Sequence, residues 1–565
     1  MAKRNRVLVI GLDGAPFPLL SKWASEGRMP TLAGLLRRGT GGTMRSTMPP
    51  TSGPAWTSFA TGMNPGRTGV YDFLYRREGS YVFPPVNASM RSGRTLWRLL
   101  SDAGLKVGVV NVPISYPVEP VDGTFISGWM TPYFAKDYTW PPSLAGEIET
   151  KVGDYRIYPS ETYSERGRKA FFDASDELLE LLTRTNLYLM ERDDWDFFMT
   201  VYFDVDRILH QLWHALDPQH PWNRSGNKTD AAGRSLEAQV LRWFERLDAD
   251  IARVIAKAGD DVTVLLMSDH GMGRASRFVV LNNLLLELGY LQLDRDPATR
   301  LKALALRCGL SLRNVHRIVD RLGASKHAEY KNVYSFDSVL KRMFLSFHNV
   351  DWQASRAYSF GRHYGSLFLN VKGREPHGSV APGAEYERTR DEIAEKLLAW
   401  RDPELGRPLI SRAIRREEIW HGPRLEEAPD LILLPEDDAD IFYGLSDFGS
   451  SRIWDETYRY SGMHRDNGLF MAAGSNVRAS SSSPAFPDAA IVDLAPTILY
   501  LLDQEIPADM DGEVLTSILD PELVRTRPIR RGGAPSENGR GPLQEYSAEE
   551  EAEVMQRLRD LGYLN

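Results

Sequence analysis

An apolar segment followed at once by an aspartate and a histidine is the feature that most constrains the fold of this chain. Residues 261–267 read Asp-Val-Thr-Val-Leu-Leu-Met, a composition that predicts a buried β-strand. Asp269 and His270 come just after it. In an open α/β sheet, ligands bind beyond the carboxyl ends of the strands, where this pair could hold a divalent metal ion. A single pair of this kind more often caps a strand or stabilises a turn.

The same arrangement recurs elsewhere, which favours the metal-binding interpretation. An N-terminal apolar strand ends just before Asp13, and the apolar segment 197–203 is followed by Asp206 and His210. Asp206 and His210 share one face if a helix begins there. His464 lies in a glycine-flanked loop before another apolar segment. Together these side chains could hold two metal ions about 4 Å apart, as in two-metal phosphoryl-transfer enzymes.

A proline-rich segment supplies a candidate nucleophile. Residues 48–62 predict a loop and then a short helix, with Pro54 at its first position and Gly62 at its end. Thr51 or Ser52 would then lie at the positive end of the helix dipole, which binds phosphate and favours an ionised hydroxyl. In isolation, Ser52 would only cap the helix. Beside six potential metal ligands, we interpret Ser52 as a nucleophile.

In chain order, the motifs resemble a known enzyme family. They are a strand ending at Asp13, Ser52 before a Pro-Ala-Trp helix, Asp206-x-x-x-His210, Asp269-His270 and Gly-x-His464. This order resembles the alkaline phosphatase superfamily, and most of all the type I phosphodiesterase/nucleotide pyrophosphatase family. The resemblance runs from about Arg6 to about Gly512. It implies an α/β fold with an alkaline-phosphatase-like, mostly parallel central sheet flanked by helices, and a metal-dependent phosphoric ester hydrolase.

The resemblance also implies two metal sites around the nucleophile. The implied ligands are Asp13, Asp269 and His270, together with Ser52, for one ion, and Asp206, His210 and His464 for the other. The family nucleophile opens a Thr/Ser-x-Pro turn, which favours Ser52 over Thr51 and implies a phosphoseryl intermediate. Imidazole and carboxylate ligands without a thiolate suit zinc, with manganese as the rival.

Several functional alternatives stay open at this point. Family members that act on nucleotides usually carry an Asn where this chain has Ala55, so the preference for diesters or monoesters is undecided. A phosphomonoesterase or sulfatase of the same superfamily is one alternative, although the sulfatase pattern is absent after Ser52. A non-catalytic binding protein on a retired phosphatase scaffold is another, and the complete ligand set disfavours it. His214, four residues beyond His210, could face the same site.

Composition narrows the expected partners and compartment. A net charge of -8 over 565 residues disfavours a dedicated nucleic-acid binder, so we expect a small phosphorylated substrate. Cys308 is the single cysteine, which fits a reducing compartment. No apolar signal segment precedes Asp13, and no stretch approaches the roughly 20 apolar residues that span a bilayer. These features predict a cytoplasmic protein, and the oligomeric state is left open.

Alternating strands and helices suggest a domain plan. The predicted units are the first part of the catalytic domain (1–280), a helical basic cap insertion (281–351), the rest of the catalytic domain (352–524), and a linker with a C-terminal helix (525–565). Between residues 300 and 342, ten Lys and Arg stand against three acidic residues. The cap, including Arg313, Arg317 and Arg321, is predicted to attract anionic substrates. The alternative is a solvated insertion whose charge only aids solubility.

Overall fold

The apolar segments that precede the Asp and His motifs lie at the centre of a nine-stranded sheet in the computed structural model of the protein. The structure describes residues 5–161, 163–225, 233–311, 314, 344–444, 448, 450–457, 460–479, 486, 488–532 and 543–560. The large central sheet and the alternation of strands with helices along the chain confirm the expected α/β class.

Strands from distant parts of the chain build three principal sheets. The strands are β1 (Arg6–Leu12), β2 (Thr40–Arg45), β3 (Val107–Val112), β4 (Gly123–Ser127), β5 (Thr139–Trp140), β6 (Phe197–Tyr202), β7 (Val262–Met267), β8 (Gly271–Arg274), β9 (Arg277–Val280), β10 (Ala357–Ser359), β11 (Gly361–His363), β12 (Gly365–Leu369), β13 (Ile410–Arg415), β14 (Leu431–Pro435), β15 (Asp440–Gly444), β16 (Trp454–Glu456), β17 (Gly462–Arg465), β18 (Asn467–Ala473), β19 (Ala489–Ala490), β20 (Ile506–Pro507) and β21 (Arg531–Gly532). The central sheet has the order β19-β2-β18-β7-β1-β6-β3-β4-β5.

Helices alternate with these strands along the chain. They are α1 (Phe17–Ser25), α2 (Pro30–Arg38), α3 (Ser52–Thr61), α4 (Pro65–Thr68), α5 (Leu96–Asp102), α6 (Leu144–Lys151), α7 (Arg168–Arg192), α8 (Asp204–Leu216), α9 (Leu236–Ala258), α10 (Leu281–Glu287), α11 (Pro297–Arg307), α12 (Ala384–Ala399), α13 (Arg416–Ile419), α14 (Leu494–Leu501), α15 (Pro521–Thr526) and α16 (Ala548–Asp560). None of the helices in the described ranges is both long enough and apolar enough to cross a bilayer.

Strand β1 occupies the middle of the central sheet because both of its faces are apolar. It pairs in parallel with β6 on one side and β7 on the other. Leu8 and Ile10 pack into one core cluster with helices α1, α2, α7, α8 and α9. Val7 and Val9 point to the opposite face, in the cluster that contains Trp56 of α3. The alternation places helices on both faces, as parallel strands require.

Two smaller sheets and a ribbon extend the structure beyond the carboxyl edge of the central sheet. One sheet has the order β10-β12-β14-β13, and the other has the order β11-β15-β9-β16. The ribbon pairs β8 with β17 in antiparallel register, so that His464 lies opposite Met272. Strand β18 follows β17 and inserts between β2 and β7. The ribbon thus brings His464 to the strand end that carries His270.

Two sequence-based predictions, a helix start and a linker, differ from the structure, and a third falls partly on residues outside the described ranges. The helix after the proline-rich loop begins at Ser52, so Pro54 is its third residue and not its first. Part of the predicted linker is ordered, because α15 covers its start and β21 pairs with β20. Helices α10 and α11 lie in the predicted cap region, but Arg313, Arg317 and Arg321 lie outside the described residues. The cap role therefore stays a prediction.

The C-terminal helix α16 packs against the body of the protein. Val554 and Leu558 are buried in the core cluster of the smaller sheets. The backbone N–H of Tyr133 donates to both carboxylate oxygens of Glu553 at 2.8 Å. The guanidinium of Arg557 lies 3.5 Å from the ring centroid of Tyr158. The helix therefore contributes apolar and charged contacts to the fold.

We expect Leu558→Ala to weaken the docking of α16, because it leaves a cavity that costs about 2–5 kcal/mol. Hydrogen exchange of residues 548–560, followed by mass spectrometry, measures this loss of protection. Leu543→Ala is the control, because Leu543 is 45% exposed and its truncation should change stability by less than about 0.5 kcal/mol. Equal protection of the helix in both variants contradicts the docking described above.

Candidate active site

Three aspartates meet at the carboxyl edge of the central sheet. Asp13 follows β1, Asp269 follows β7, and Asp206 lies in the first turn of α8, which follows β6. Because β7, β1 and β6 are neighbours and parallel, their carboxyl ends coincide. All three carboxylates are buried, with at most 1% of each residue exposed. The fold therefore concentrates negative charge in an apolar interior.

A second group of ligand-type side chains forms around Asp206. Helix α8 places Asp206 and His210 on one face, with Asp206 Oδ1 3.3 Å from His210 Nε2. His464 arrives on the ribbon, and its Nε2 lies 3.4 Å from the same carboxylate oxygen. The Nε2 atoms of His210 and His464 are 2.8 Å apart. The structure thus brings together the three residues expected to share one ion.

The other expected set lies beside it. His270 Nε2 lies 3.3 Å from Asp269 Oδ2 and 3.6 Å from Asp13 Oδ1. Ligand atoms of these three residues all lie within 4.8 Å of one another, and so do those of Asp206, His270 and His464. The rings of His270 and His464 are stacked at 3.6 Å. The two sets are therefore contiguous through His270.

Backbone carbonyls orient all three imidazoles in the same way. The Nδ1 atoms of His210, His270 and His464 lie 2.7, 3.0 and 2.9 Å from the carbonyl oxygens of Gly462, Gly271 and Pro50. A carbonyl oxygen only accepts, so each Nδ1 is the donor and each neutral ring presents an unprotonated Nε2. Metal-binding histidines typically have this second contact. Two Nε2 lone pairs 2.8 Å apart repel each other unless a cation lies between them.

The electrostatics of the buried carboxylates also fit a cation. Burial, followed by repulsion from Asp269 and Asp206, raises the pKa of Asp13 well above its ordinary value. Burial raises the pKa of Asp269 to about 8. Neither forms an ion pair with a Lys or Arg of the described chain. Carboxylates in this setting are stabilised by protonation or by a bound metal ion.

Ser52 lies at the start of helix α3, directly beside Asp13, Asp269 and His270, which we call the first ligand set; Asp206, His210 and His464 form the second. Its Oγ is 3.3 Å from Asp13 Oδ1 and 3.2 Å from His270 Nε2. Thr51 is the residue before the helix, and its hydroxyl has no hydrogen-bond partner within the described ranges. The serine hydroxyl is therefore the one that contacts the carboxylate and imidazole cluster.

Some contacts of the site are not visible in the sequence. The indole Nε1 of Trp56 donates to Asp13 Oδ2 at 2.8 Å, from the same face of α3 as Ser52. The i, i+4 spacing of Ser52 and Trp56 indicates that the two side chains share a helix face, but not that Trp56 reaches Asp13. His363 approaches His464 with 5.7 Å between ring centroids, and no spacing in the sequence indicates it.

Two residues considered in the sequence lie away from the ligand sets. His214 Nδ1 lies 3.1 Å from the Ser461 hydroxyl, and the His214 ring packs against Trp222, so it does not join either set. Ala55 is fully buried in the core between α3 and the sheet. Its methyl group packs in that core cluster, and the effect of the missing Asn on the choice between diesters and monoesters stays a prediction.

The match of the sequence to a known enzyme family defines the class of this protein, a phosphoric ester hydrolase. The chain belongs to the type I phosphodiesterase/nucleotide pyrophosphatase family, whose sequence profile matches residues 7–465. The family resemblance and the enzyme class expected from the motifs are thereby confirmed.

Comparison with solved structures finds phosphonoacetate hydrolase from Sinorhizobium meliloti 1021, in complexes with phosphonoformate and with phosphonoacetate. Each alignment has a TM-score of 0.49 and 14% sequence identity, and covers 89% of this chain and 96% of that chain. Among proteins with curated functions, none matches the sequence.

We expect the wild-type protein to bind two divalent ions per chain and His464→Ala to lose one of them, because two protein ligands would then be left in that set. Metal analysis by mass spectrometry after gel filtration measures the ratio. His214→Ala is the matched control, since His214 lies on the same helix but outside both sets. One ion in the wild type, or equal content in the two variants, contradicts the two-site assignment.

The raised carboxylate pKa values make the stability of the metal-free protein depend on pH. Because the folded pKa of Asp269 is about 8 and the unfolded value is near 4, its stabilising contribution is complete below about pH 4 and is lost as the pH rises through about 8. We expect the thermal unfolding midpoint, measured in the presence of a chelator, to be lower at about pH 9 than at about pH 6. The fall should be smaller in Asp269→Asn, and an equal fall in both proteins would exclude Asp269 as its source.

Proposed function

We propose that this protein hydrolyses small phosphoric diesters or pyrophosphates through a phosphoseryl intermediate on Ser52, with two divalent ions bound at the carboxyl edge of the sheet. The observation that carries the proposal is the position of Ser52 Oγ, which is within 3.3 Å of both Asp13 and His270 at the start of a buried helix. This position supports a nucleophile because the hydroxyl faces the ligand cluster and the helix N-terminus attracts phosphate.

The ligands expected for the two ions are those already assigned from the sequence. They are Asp13, Asp269, His270 and the Ser52 hydroxyl for the first, and Asp206, His210 and His464 for the second. Bound divalent ions would act as Lewis acids that lower the pKa of a coordinated hydroxyl and neutralise phosphoryl oxygens. Carboxylate and imidazole ligands without thiolate favour zinc, with manganese as the rival.

The side chains around Ser52 support the chemical steps. Ser52 Oγ gives its proton to water, attacks phosphorus and forms the Oγ–P bond, while the P–O bond to the leaving group breaks and the leaving oxygen takes a proton from water. Water then cleaves the Oγ–P bond and regenerates the hydroxyl. Two displacements at phosphorus give net retention of configuration. Trp56 holds the Asp13 carboxylate through its second oxygen, which keeps the first oxygen directed at Ser52.

Positioning of the site by the backbone limits its reorganisation during the reaction. The Gly14 N–H donates to Asp269 Oδ1 at 3.1 Å, and the Ala15 N–H donates to the hydroxyl of Ser268 at 2.8 Å. These contacts tie the turn after β1 to the end of β7. Catalytic groups held by rigid strand ends in this way can stabilise a transition state without first being rearranged.

We expect Ser52→Ala to lower turnover by several orders of magnitude while both ions stay bound, because the covalent nucleophile is lost but Asp13, Asp269 and His270 remain as ligands of the first ion. Initial rates on aryl phosphodiesters, aryl phosphomonoesters and aryl sulfates, with metal analysis alongside, measure this effect. The preference among these esters also tests the diester assignment.

Thr51→Ala is the matched control for the serine variant, since it removes the neighbouring hydroxyl at the same helix end. It should keep turnover within about tenfold of wild type. Retention of more than about a hundredth of the wild-type rate in Ser52→Ala, with Thr51→Ala inactive, would show that Thr51 is the nucleophile.

A further inference from the structure

His363 is a buried histidine beside the metal ligands that belongs to neither ligand set. It is the last residue of β11, where it pairs with Phe442 of β15. Only 5% of the residue is exposed, and its ring lies 5.7 Å from that of His464. Within the described residues, its nitrogens do not join the groups of ligand atoms that lie within 4.8 Å of one another. It therefore adjoins the site without completing it.

The ring nitrogens of His363 lack the contacts that the other site histidines have. Neither Nδ1 nor Nε2 has a hydrogen-bond partner in the described part of the chain, although both atoms are shielded from solvent. An imidazole carries at least one N–H in every protonation state. A buried donor without an acceptor destabilises the fold, and such a group calls for a physical explanation.

The backbone at His363 is also held in an unfavourable conformation. Its φ angle is +88°, a region that L-residues other than glycine rarely adopt. Contacts on both sides maintain it. The Asp72 carboxylate accepts a hydrogen bond from the Arg362 backbone N–H, and the Tyr364 hydroxyl donates to Asp466 Oδ1 at 2.7 Å. Strain that the surroundings maintain in this way is concentrated at functional sites.

The anchors also determine where the ring points. Asp466 lies two residues beyond His464, so the Tyr364 contact fixes the end of β11 to the ribbon that carries a metal ligand. The ring centroid of His363 lies 5.7 Å from that of His464. The ring therefore lies beside the second ligand set (Asp206, His210 and His464), at the end of a strand of the smaller sheets.

We propose that His363 is a substrate-contacting residue whose ring N–H donates a hydrogen bond to an oxygen of the bound phosphoryl group or its leaving group. This inference rests on the proposed function, because it takes the substrate to lie between Ser52 and the second ligand set. The contact would satisfy the buried donor only when substrate is present, which accounts for both the missing partner and the maintained strain.

Two substitutions separate hydrogen bonding from structure. His363→Gly removes the ring and adopts a positive φ without strain, so the variant should remain folded and can be assayed. His363→Asn keeps an N–H donor, and asparagine is one of the few residues that tolerate this backbone region. Asp503→Gly is the matched control, because Asp503 also has a positive φ, +57°, but lies after α14, away from the site.

The measurements are metal content, the dissociation constant of inorganic phosphate, and kcat and KM on the best aryl ester. We expect His363→Gly to keep two ions per chain and to weaken phosphate binding and kcat/KM by about ten- to a hundredfold, the usual effect of losing a hydrogen bond to a charged group. His363→Asn should recover most of this loss. Asp503→Gly should match wild type in phosphate affinity and in kcat/KM.

Three results would overturn the inference. Loss of one ion in His363→Gly would make His363 a metal ligand, and wild-type phosphate affinity and kinetics in that variant would exclude a substrate contact. If the Asn variant is as impaired as the Gly variant, then His363 acts through the packing of its ring and not through a hydrogen bond. If the wild-type protein hydrolyses none of the esters, the proposed function fails, whereas an active wild type with equally active variants refutes only the role of His363.

Discussion

The burial of three carboxylates at the ends of neighbouring parallel strands is the constraint on which the rest of the site depends. Asp13, Asp206 and Asp269 cannot all be ionised in an apolar interior without a compensating charge. The surrounding contacts meet this constraint in a consistent way. Backbone carbonyls turn three imidazoles toward the carboxylates, and the backbone N–H of Gly14 donates to Asp269.

Much of this arrangement could be predicted from sequence because it depends on local rules. Apolar strands that end in Asp or His predict ligands at one sheet edge, since parallel strands share the direction of their carboxyl ends. The four-residue spacing of Asp206 and His210 predicts a shared helix face, and the structure shows that face. The start of α3 was less predictable, because Pro54 suits several positions in a first turn.

The remaining features depend on contacts that sequence spacing does not encode. Trp56 reaches Asp13 because α3 packs over the end of β1, and His363 reaches the site because β11 belongs to a separate small sheet. Their partners are 43 residues away in the first case and more than a hundred in the second.

Strand β18 has a consequence for how the protein is made. It comes from residues 467–473 but lies between β2 and β7, next to the strand that presents Asp269. While the ribosome is still synthesising the middle of the chain, β7 has an open edge and His464 does not yet exist. Pairing over such long sequence separations is slow, and an open strand edge is prone to association with other chains. The interval between the synthesis of β7 and that of β18 therefore leaves an edge of β7 open to pairing with another chain.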